Sequence, residues 1–157
     1  MILHHEGIIL QKGYEALEAV SLKEKTAARA VFRTLAGDFE VSCYAAGILR
    51  MKSIVEHSQP DYGILAAEPE NLVLNVTDIP HGYRVQAGSM ALEILTGPMR
   101  IRLYRDEKLL LQSVTDRTIE GQLRFSPFAK RADSWLVALA LGNNEPVYGL
   151  GEKWAAL

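Results

Sequence analysis

The central stretch MALEILTGPMRIRLYRDEKLLLQSV, residues 90–114, decides the fold class of this chain. Within it, residues 99–104 alternate apolar and polar side chains, and Met99, Ile101 and Leu103 are expected to face inward. The residues expected to face outward are Arg100, Arg102 and Tyr104. Alternation with period two is typical of a β-strand that buries one face and exposes the other to water.

Similar strand patterns occur on both sides of this stretch, and turn signals separate them. The further expected strands are residues 39–44, 48–55, 71–76, 83–87, 90–96, 108–114, 123–125 and 135–141. The turns expected between strands are at residues 45–47, 57–63, 80–82, 88–89, 97–98, 106–107 and 143–144. Strands about ten residues apart favour an antiparallel sandwich or barrel. A parallel sheet would need helices between the strands, for which the centre and end of the chain have no room.

Residues 21–37 carry two conflicting signals. Ser21 followed by Glu24 resembles a helix capping box, and Gly37 resembles the end of a helix. The alternation that starts near Arg29 instead indicates a strand, and the strand predicted at residues 39–44 needs a partner. We therefore predict a strand from Arg29 onward, while residues 21–28 stay open between helix and strand.

Composition limits the classes of function. The 157 residues include 17 Lys and Arg against 19 Asp and Glu, a net charge of −2, so no nucleic-acid partner is expected. No apolar run reaches the length of a membrane span, so no membrane partner is expected either. Cys43 is the single cysteine and is expected to be a small buried side chain. The first residues lack the pattern of a signal peptide, which predicts a cytoplasmic protein.

The run Tyr-Gly-Leu-Gly-Glu at residues 148–152 resembles a signature of family 31 glycoside hydrolases, the α-glucosidase and α-xylosidase group. The resemblance implies that residues 1–157 form one N-terminal domain, an all-β antiparallel two-sheet β-sandwich like that of galactose mutarotase. It also implies that the chain is truncated before a catalytic (β/α)8 barrel. In the family both catalytic aspartates of the retaining α-glycosidase lie on that barrel, beyond Leu157. No catalytic residue, metal or cofactor is therefore assigned to this chain.

The partners implied by the resemblance are the barrel of the same polypeptide and, through the parent enzyme, α-linked glycosides. Homo-oligomer formation is a further expectation. The substrate-binding residues are unknown, but Tyr62, Tyr148 and Trp154 could stack on sugar rings, or pack on the barrel or inside the sandwich. The loop at Asp61 and Tyr62 could reach the mouth of the active site. A free-standing carbohydrate-binding module is one alternative function.

A mutarotase-like aldose epimerase is the other alternative, and it would need a histidine facing a carboxylate. His57 and His81 are the candidates, but no sequence spacing pairs either of them with a defined glutamate. Both are therefore interpreted as solvated residues in turns. His4 and His5 have no partners at metal-ligand spacing. The nucleophile candidates, none with a neighbouring base or an elbow motif, are Cys43, Ser126 and Ser134.

Overall fold

The computed structural model describes residues 13–54, 73–115, 117–119, 123–132 and 134–142. All regular structure in these ranges is β, which confirms the predicted all-β class. The strands are β1 (Glu15–Ala16), β2 (Ser21–Lys25), β3 (Arg29–Thr34), β4 (Gly37–Ala45), β5 (Ile48–Ser53), β6 (Asn75–Ile79), β7 (Gly82–Ala87), β8 (Met90–Leu95), β9 (Arg100–Arg105), β10 (Lys108–Gln112), β11 (Arg117–Ile119), β12 (Leu123–Phe125), β13 (Phe128–Arg131) and β14 (Ser134–Val137). No described segment is a helix that could span a membrane.

Two antiparallel meanders make up most of the described fold. Strands β2, β3, β4 and β5 form a four-stranded sheet in chain order, and β6 to β10 form a five-stranded sheet, also in chain order. Two smaller sheets have the orders β1-β13-β14 and β11-β12. Every named strand pair is antiparallel, as short hairpin connections require.

The core lies between the inner faces of the two larger sheets, so the fold is a sandwich. Alternate residues of each sheet contribute to it, together with side chains from the segments that flank the sheets. The buried members are Leu17, Val20, Ala30, Phe32, Phe39, Val41, Leu74, Val85, Leu92, Ile94, Met99, Ile101 and Phe128. Phe32 stacks on Phe39, with ring centroids 5.3 Å apart. The expected inward direction of Met99, Ile101 and Leu103 is confirmed, since the first two belong to the core and Leu103 packs against it.

Residues 21–25 form a strand, and the helix alternative for residues 21–28 is wrong. Thr26 closes a tight connection, because its hydroxyl accepts hydrogen bonds from the backbone N–H groups of Ala28 and Arg29 at 3.2 and 3.1 Å. The chain therefore reverses after Lys25 and pairs β2 with β3. Glu24, which resembled a capping residue, forms an ion pair with Arg29 instead. Strand pairing and burial outweigh the weak helix preference of the local sequence.

Several predicted strand boundaries are also corrected. The strand expected at residues 71–76 begins only at Asn75 and runs to Ile79. The strand expected at residues 135–141 ends at Val137, and Leu139 makes only an isolated bridge. Strands β1, β11 and β13 are not anticipated from the sequence, since each has four residues or fewer and too few positions to show a period. The turn expected at residues 143–144 lies outside the described residues.

Residues 138–140 connect two of the sheets. The N–H of Val114 donates to the carbonyl of Ala138 at 3.1 Å, and the N–H of Ala140 donates to that of Gln112 at 2.8 Å. On the other side, the N–H of Ala138 donates to the carbonyl of Pro127 at 2.8 Å. This segment therefore extends the five-stranded sheet beyond β10 and ties it to the β1-β13-β14 sheet.

Candidate functional site

Most candidate residues from the sequence lie outside the described part of the chain. They are His4, His5, His57, Asp61, Tyr62, the motif at residues 148–152, and Trp154. The side chain of Ser134 is likewise not described. The proposals attached to these residues, sugar stacking above all, remain predictions.

The remaining candidates have structural roles in the described fold. His81 is exposed in a turn with φ of +65°, and its carbonyl accepts hydrogen bonds from the N–H and hydroxyl of Thr96 at 2.8 and 3.2 Å. Cys43 is buried, as expected, and its thiol lies 3.3 Å from the carbonyl oxygen of Ala45. The hydroxyl of Ser126 is buried and donates to the carbonyl of Phe128 at 3.1 Å. A hydroxyl enclosed in this way cannot reach a substrate.

A charged row crosses the outer face of the five-stranded sheet. It consists of Arg84, Glu93, Arg102, Tyr104 and Glu107, and cross-strand register places these residues side by side on β7, β8, β9 and the following turn. Arg84 bridges two carboxylates, with nitrogen–oxygen distances of 3.3 Å to Glu93 and 2.5 Å to Glu107. Glu93 also accepts a hydrogen bond from the Tyr104 hydroxyl at 3.1 Å and lies 3.7 Å from an Arg102 nitrogen.

The charged row is half-buried, although the sequence pattern predicted a fully wet face. The side chains of Arg84 and Glu93 are only 18% and 16% exposed, and the Arg84 guanidinium lies 5.5 Å from the centre of the Tyr104 ring. Desolvation by burial, followed by the hydrogen bond to the Glu93 carboxylate, raises the pKa of Tyr104 above its ordinary value of 10.0. The centre of the row is therefore packed, whereas the Glu107 side chain at its end is 73% exposed.

The two carboxylates joined by Arg84 differ from a glycosidase pair in that one guanidinium on a sheet surface holds both. A retaining glycosidase places its carboxyl groups about 5–5.5 Å apart on either side of the scissile bond. Glu93 and Glu107 instead share one guanidinium on a sheet surface, where both serve as ion-pair partners. Among the described residues, no group of three or more His, Cys, Asp or Glu side chains could hold a metal ion.

An apolar cleft of about 180 Å³ opens at the edge of the sandwich. Its walls include Phe39, Met51, Phe128 and Trp135, and the hydroxyl of Ser53, which also lines it, is buried without a hydrogen-bond partner. The Lys130 ammonium lies 5.4 Å from the centre of the Trp135 ring.

A second cleft, polar and about 130 Å³ in volume, lies where residues 138–140 meet β9 and β10. We call it the arginine cleft. Its lining residues include Arg100, Arg102, Gln112 and Thr115. The Nε atom of Arg100 is buried and has no hydrogen-bond partner.

Sequence reasoning missed the charged row and both clefts, because each depends on strand register. Arg102 and Glu93 are nine positions apart in the sequence, yet they face each other across β8 and β9. The sequence offered one signal for this site. Arg100 and Arg102 were predicted on an outward face, and the neighbouring predicted strand also contains a charged residue.

Comparison with known protein families identifies the domain. One family model, described as the glycosyl hydrolase 31 N-terminal galactose mutarotase-like domain, matches residues 38–157. Comparisons with curated proteins and with solved structures gave no match. The matched region covers most of the chain, from the second residue of β4 onward, and includes the whole five-stranded sheet and the motif at residues 148–152. The chain therefore belongs to the family of glycosyl hydrolase 31 N-terminal galactose mutarotase-like domains.

Proposed function

We propose that this chain is the non-catalytic N-terminal domain of a retaining α-glycosidase of the α-glucosidase or α-xylosidase type. In this proposal a catalytic (β/α)8 barrel of the same polypeptide carries the two catalytic aspartates. The domain packs against the barrel and shapes one wall of the active-site mouth. The parent enzyme acts on α-linked glycosides in the cytoplasm.

The observation that carries the proposal is the family match over residues 38–157. The family is defined by an N-terminal position in glycosyl hydrolases, which implies attachment to a catalytic region. The site geometry agrees with a supporting role, since Glu93 and Glu107 are held as partners of Arg84. The specificity for glucosides or xylosides rests only on the resemblance of residues 148–152 to the family signature.

Activity measurements on two proteins test the proposal. The 157-residue chain and the parent enzyme are each incubated with nitrophenyl α-glucoside and nitrophenyl α-xyloside. We expect the parent enzyme to release nitrophenol from one substrate and the isolated chain to release none from either. Turnover by the isolated chain, in an activity that copurifies with it, would place the chemistry in the sandwich and refute the proposal.

The Trp135-lined apolar cleft favours one second candidate, a carbohydrate-binding module. Titration of the isolated chain with malto- and xylo-oligosaccharides, followed by tryptophan fluorescence, tests it. We expect no saturable signal, because the cleft is mainly apolar and about 180 Å³, smaller than the roughly 300 Å³ at which pockets for drug-sized ligands begin. Saturable binding that Trp135→Ala abolishes would establish the module instead.

The described structure does not support the epimerase alternative through His81. The contacts described for His81 are made by its backbone carbonyl and not by its imidazole ring.

A further inference from the structure

We propose that the arginine cleft is a binding site for a small oxyanion, a carboxylate or phosphate group, with Arg100 as its main ligand. The site shares Arg102 with the end of the charged row and does not depend on the proposed hydrolase function. Three observations support it: an unpaired buried donor, a surplus of positive charge, and a polar lining of suitable size.

The first observation concerns Arg100. Its Nε atom is buried without a hydrogen-bond partner. Within the described part of the chain, its guanidinium takes part in none of the ion pairs. A buried donor that lacks an acceptor destabilises the fold, because it has lost its hydrogen bonds to water without replacing them. An oxyanion in the cleft would supply the missing acceptor, since a guanidinium matches two oxygens of a carboxylate or phosphate.

The second observation is the local charge. Arg84, Arg100 and Arg102 lie on this outer face, and the carboxylates that pair with them in the described structure are Glu93 and Glu107. Arg84 contacts both carboxylates closely, and Arg102 contacts only Glu93, at 3.7 Å. Among these described side chains the guanidinium without an ion pair is therefore that of Arg100, at the cleft. Binding of a single anionic group would neutralise it.

The third observation is the lining. Gln112 and Thr115 also line the cleft, and an amide and a hydroxyl are groups that can donate to an oxyanion. The Ser113 hydroxyl is already engaged, because it accepts from the N–H of Ile101 at 3.1 Å and donates to the carbonyl of Ile101 at 3.5 Å. The volume of about 130 Å³ suits one carboxylate or phosphate group better than a whole oligosaccharide.

The primary test is an NMR titration of the complete 157-residue chain, labelled with ¹⁵N. Sodium phosphate is compared with sodium chloride at matched ionic strength. We expect saturable shifts with phosphate, with a Kd on the order of 1 mM, concentrated at the amides of Ile101, Ser113 and Thr115. Absence of saturation, shifts centred elsewhere, or the same shifts with chloride would each overturn the proposal.

Variants test the role of Arg100. We expect Arg100→Gln to weaken phosphate binding about tenfold or more, because it removes both the charge and the paired donors. Arg100→Lys should fall between this variant and the native chain, since it keeps the charge without the planar fork. The matched control is Arg105→Gln, on the same strand but outside the cleft, which should leave the Kd unchanged. A phosphate affinity of Arg100→Gln equal to that of the native chain would refute the site. If Arg100→Gln does not fold, the positions of the phosphate-induced NMR shifts in the native chain decide the question.

Competition identifies the chemical class of the ligand. Glucuronate and glucose have the same ring, but only glucuronate carries a carboxylate. Displacement of phosphate by glucuronate and not by glucose would assign the site to oxyanions of both kinds. Failure of both sugars to compete, with phosphate binding intact, would restrict the ligand to phosphate groups. Equal competition by glucose would show that the cleft recognises hydroxyls, which contradicts the proposal.

Discussion

Gly82 begins β7 where that strand lies against the backbone of β8. A Cβ atom at this position would lie 2.1 Å from the carbonyl oxygen of Ile94, a distance that no ordinary packing tolerates. The contact is with backbone, so no rotation of a neighbouring side chain can relieve it. Only glycine therefore allows the β7–β8 register observed here.

We expect Gly82→Ala to lower the free energy of unfolding by about 3 kcal/mol or more, the upper range for overpacked sites. The control is Gly88→Ala, at the β7–β8 turn. Gly88 has φ of +57° but no atom within 4 Å of its Cβ position, so alanine should cost only about 1–2 kcal/mol of backbone strain. Urea unfolding measures both. Equal losses of unfolding free energy in the two variants would show that β7 and β8 separate easily at Gly82, which would contradict the prediction.

Ile101 is a core residue on the strand that first indicated the fold. It is 7% exposed, and we expect Ile101→Ala to cost about 2–5 kcal/mol, through lost burial and the cavity left behind. Ile48→Ala is the matched control, because Ile48 also lies on a strand but is 53% exposed. Its cost should stay below about 1 kcal/mol. Similar values for the two variants in urea unfolding would contradict the burial of Ile101.

At the scale of elements, the β2-β3-β4 meander is joined on its outer face by ion pairs. A Lys23 nitrogen on β2 lies 2.5 Å from a carboxylate oxygen of Asp38, which is the second residue of β4. Arg33 on the intervening strand lies 3.6 Å from the same carboxylate. The hydrogen bond from Lys23, the largest cause, holds the pKa of Asp38 below its ordinary value of 3.8.

This lowered pKa predicts a pH-dependent contribution to stability. The folded chain binds the Asp38 proton less tightly than the unfolded chain, so the stabilisation is complete above pH 3.8 and is lost as the pH falls through the lower folded value. We expect Asp38→Asn to cost about 0.2–1 kcal/mol at pH 7, as for other exposed pairs. The difference from the native chain should vanish in strong acid.

Urea unfolding at pH 7 and at about pH 2 measures the effect, with the lower pH chosen below the ordinary Asp range. Asp78→Asn is the control, since Asp78 is exposed on β6 and forms no ion pair with other described residues. It should change stability little at either pH. A cost for Asp38→Asn that persists unchanged at the lower pH would mean that the carboxylate charge is not its source.

At the scale of the whole molecule, a row of apolar side chains remains uncovered near the end of the described chain. Val137, Leu139 and Leu141 are 54%, 40% and 62% exposed and recur at every second residue. Period two in an extended segment places them on one side. An exposed apolar patch beside an edge strand tends to acquire a partner.

We therefore expect the isolated 157-residue chain to self-associate in a concentration-dependent way. Light scattering after size-exclusion chromatography measures the mass. Leu141→Ser should shift the distribution toward monomer without lowering the unfolding midpoint, because Leu141 contributes little to the core. Leu35→Ser, at the 79% exposed tip of the β3–β4 hairpin, is the control and should leave association unchanged. A monomeric native chain at all concentrations would remove the basis for this prediction.

The amino-acid sequence by itself determined the class of the fold and most of its strands. Alternation at residues 99–104 and the turns at residues 88–89 and 106–107 are local properties, since a side chain's face and a turn's backbone angles depend on neighbouring residues. The inward direction of Met99 and Ile101 followed from that alternation alone. The motif at residues 148–152 pointed to the family that the comparison then showed.

Only the tertiary structure decided how residues 21–25 pair and which polar groups meet on the outer face. The local sequence there favours a helix slightly, and the hairpin with β3 reverses that preference through hydrogen bonds and burial that no local window contains. The arginine cleft likewise exists because residues 138–140 return beside β10. Contacts between residues distant in the chain depend on strand register and on the order of strands in the sheet. Alternation with period two shows which face of a strand a side chain occupies, but it does not show which strand lies beside it.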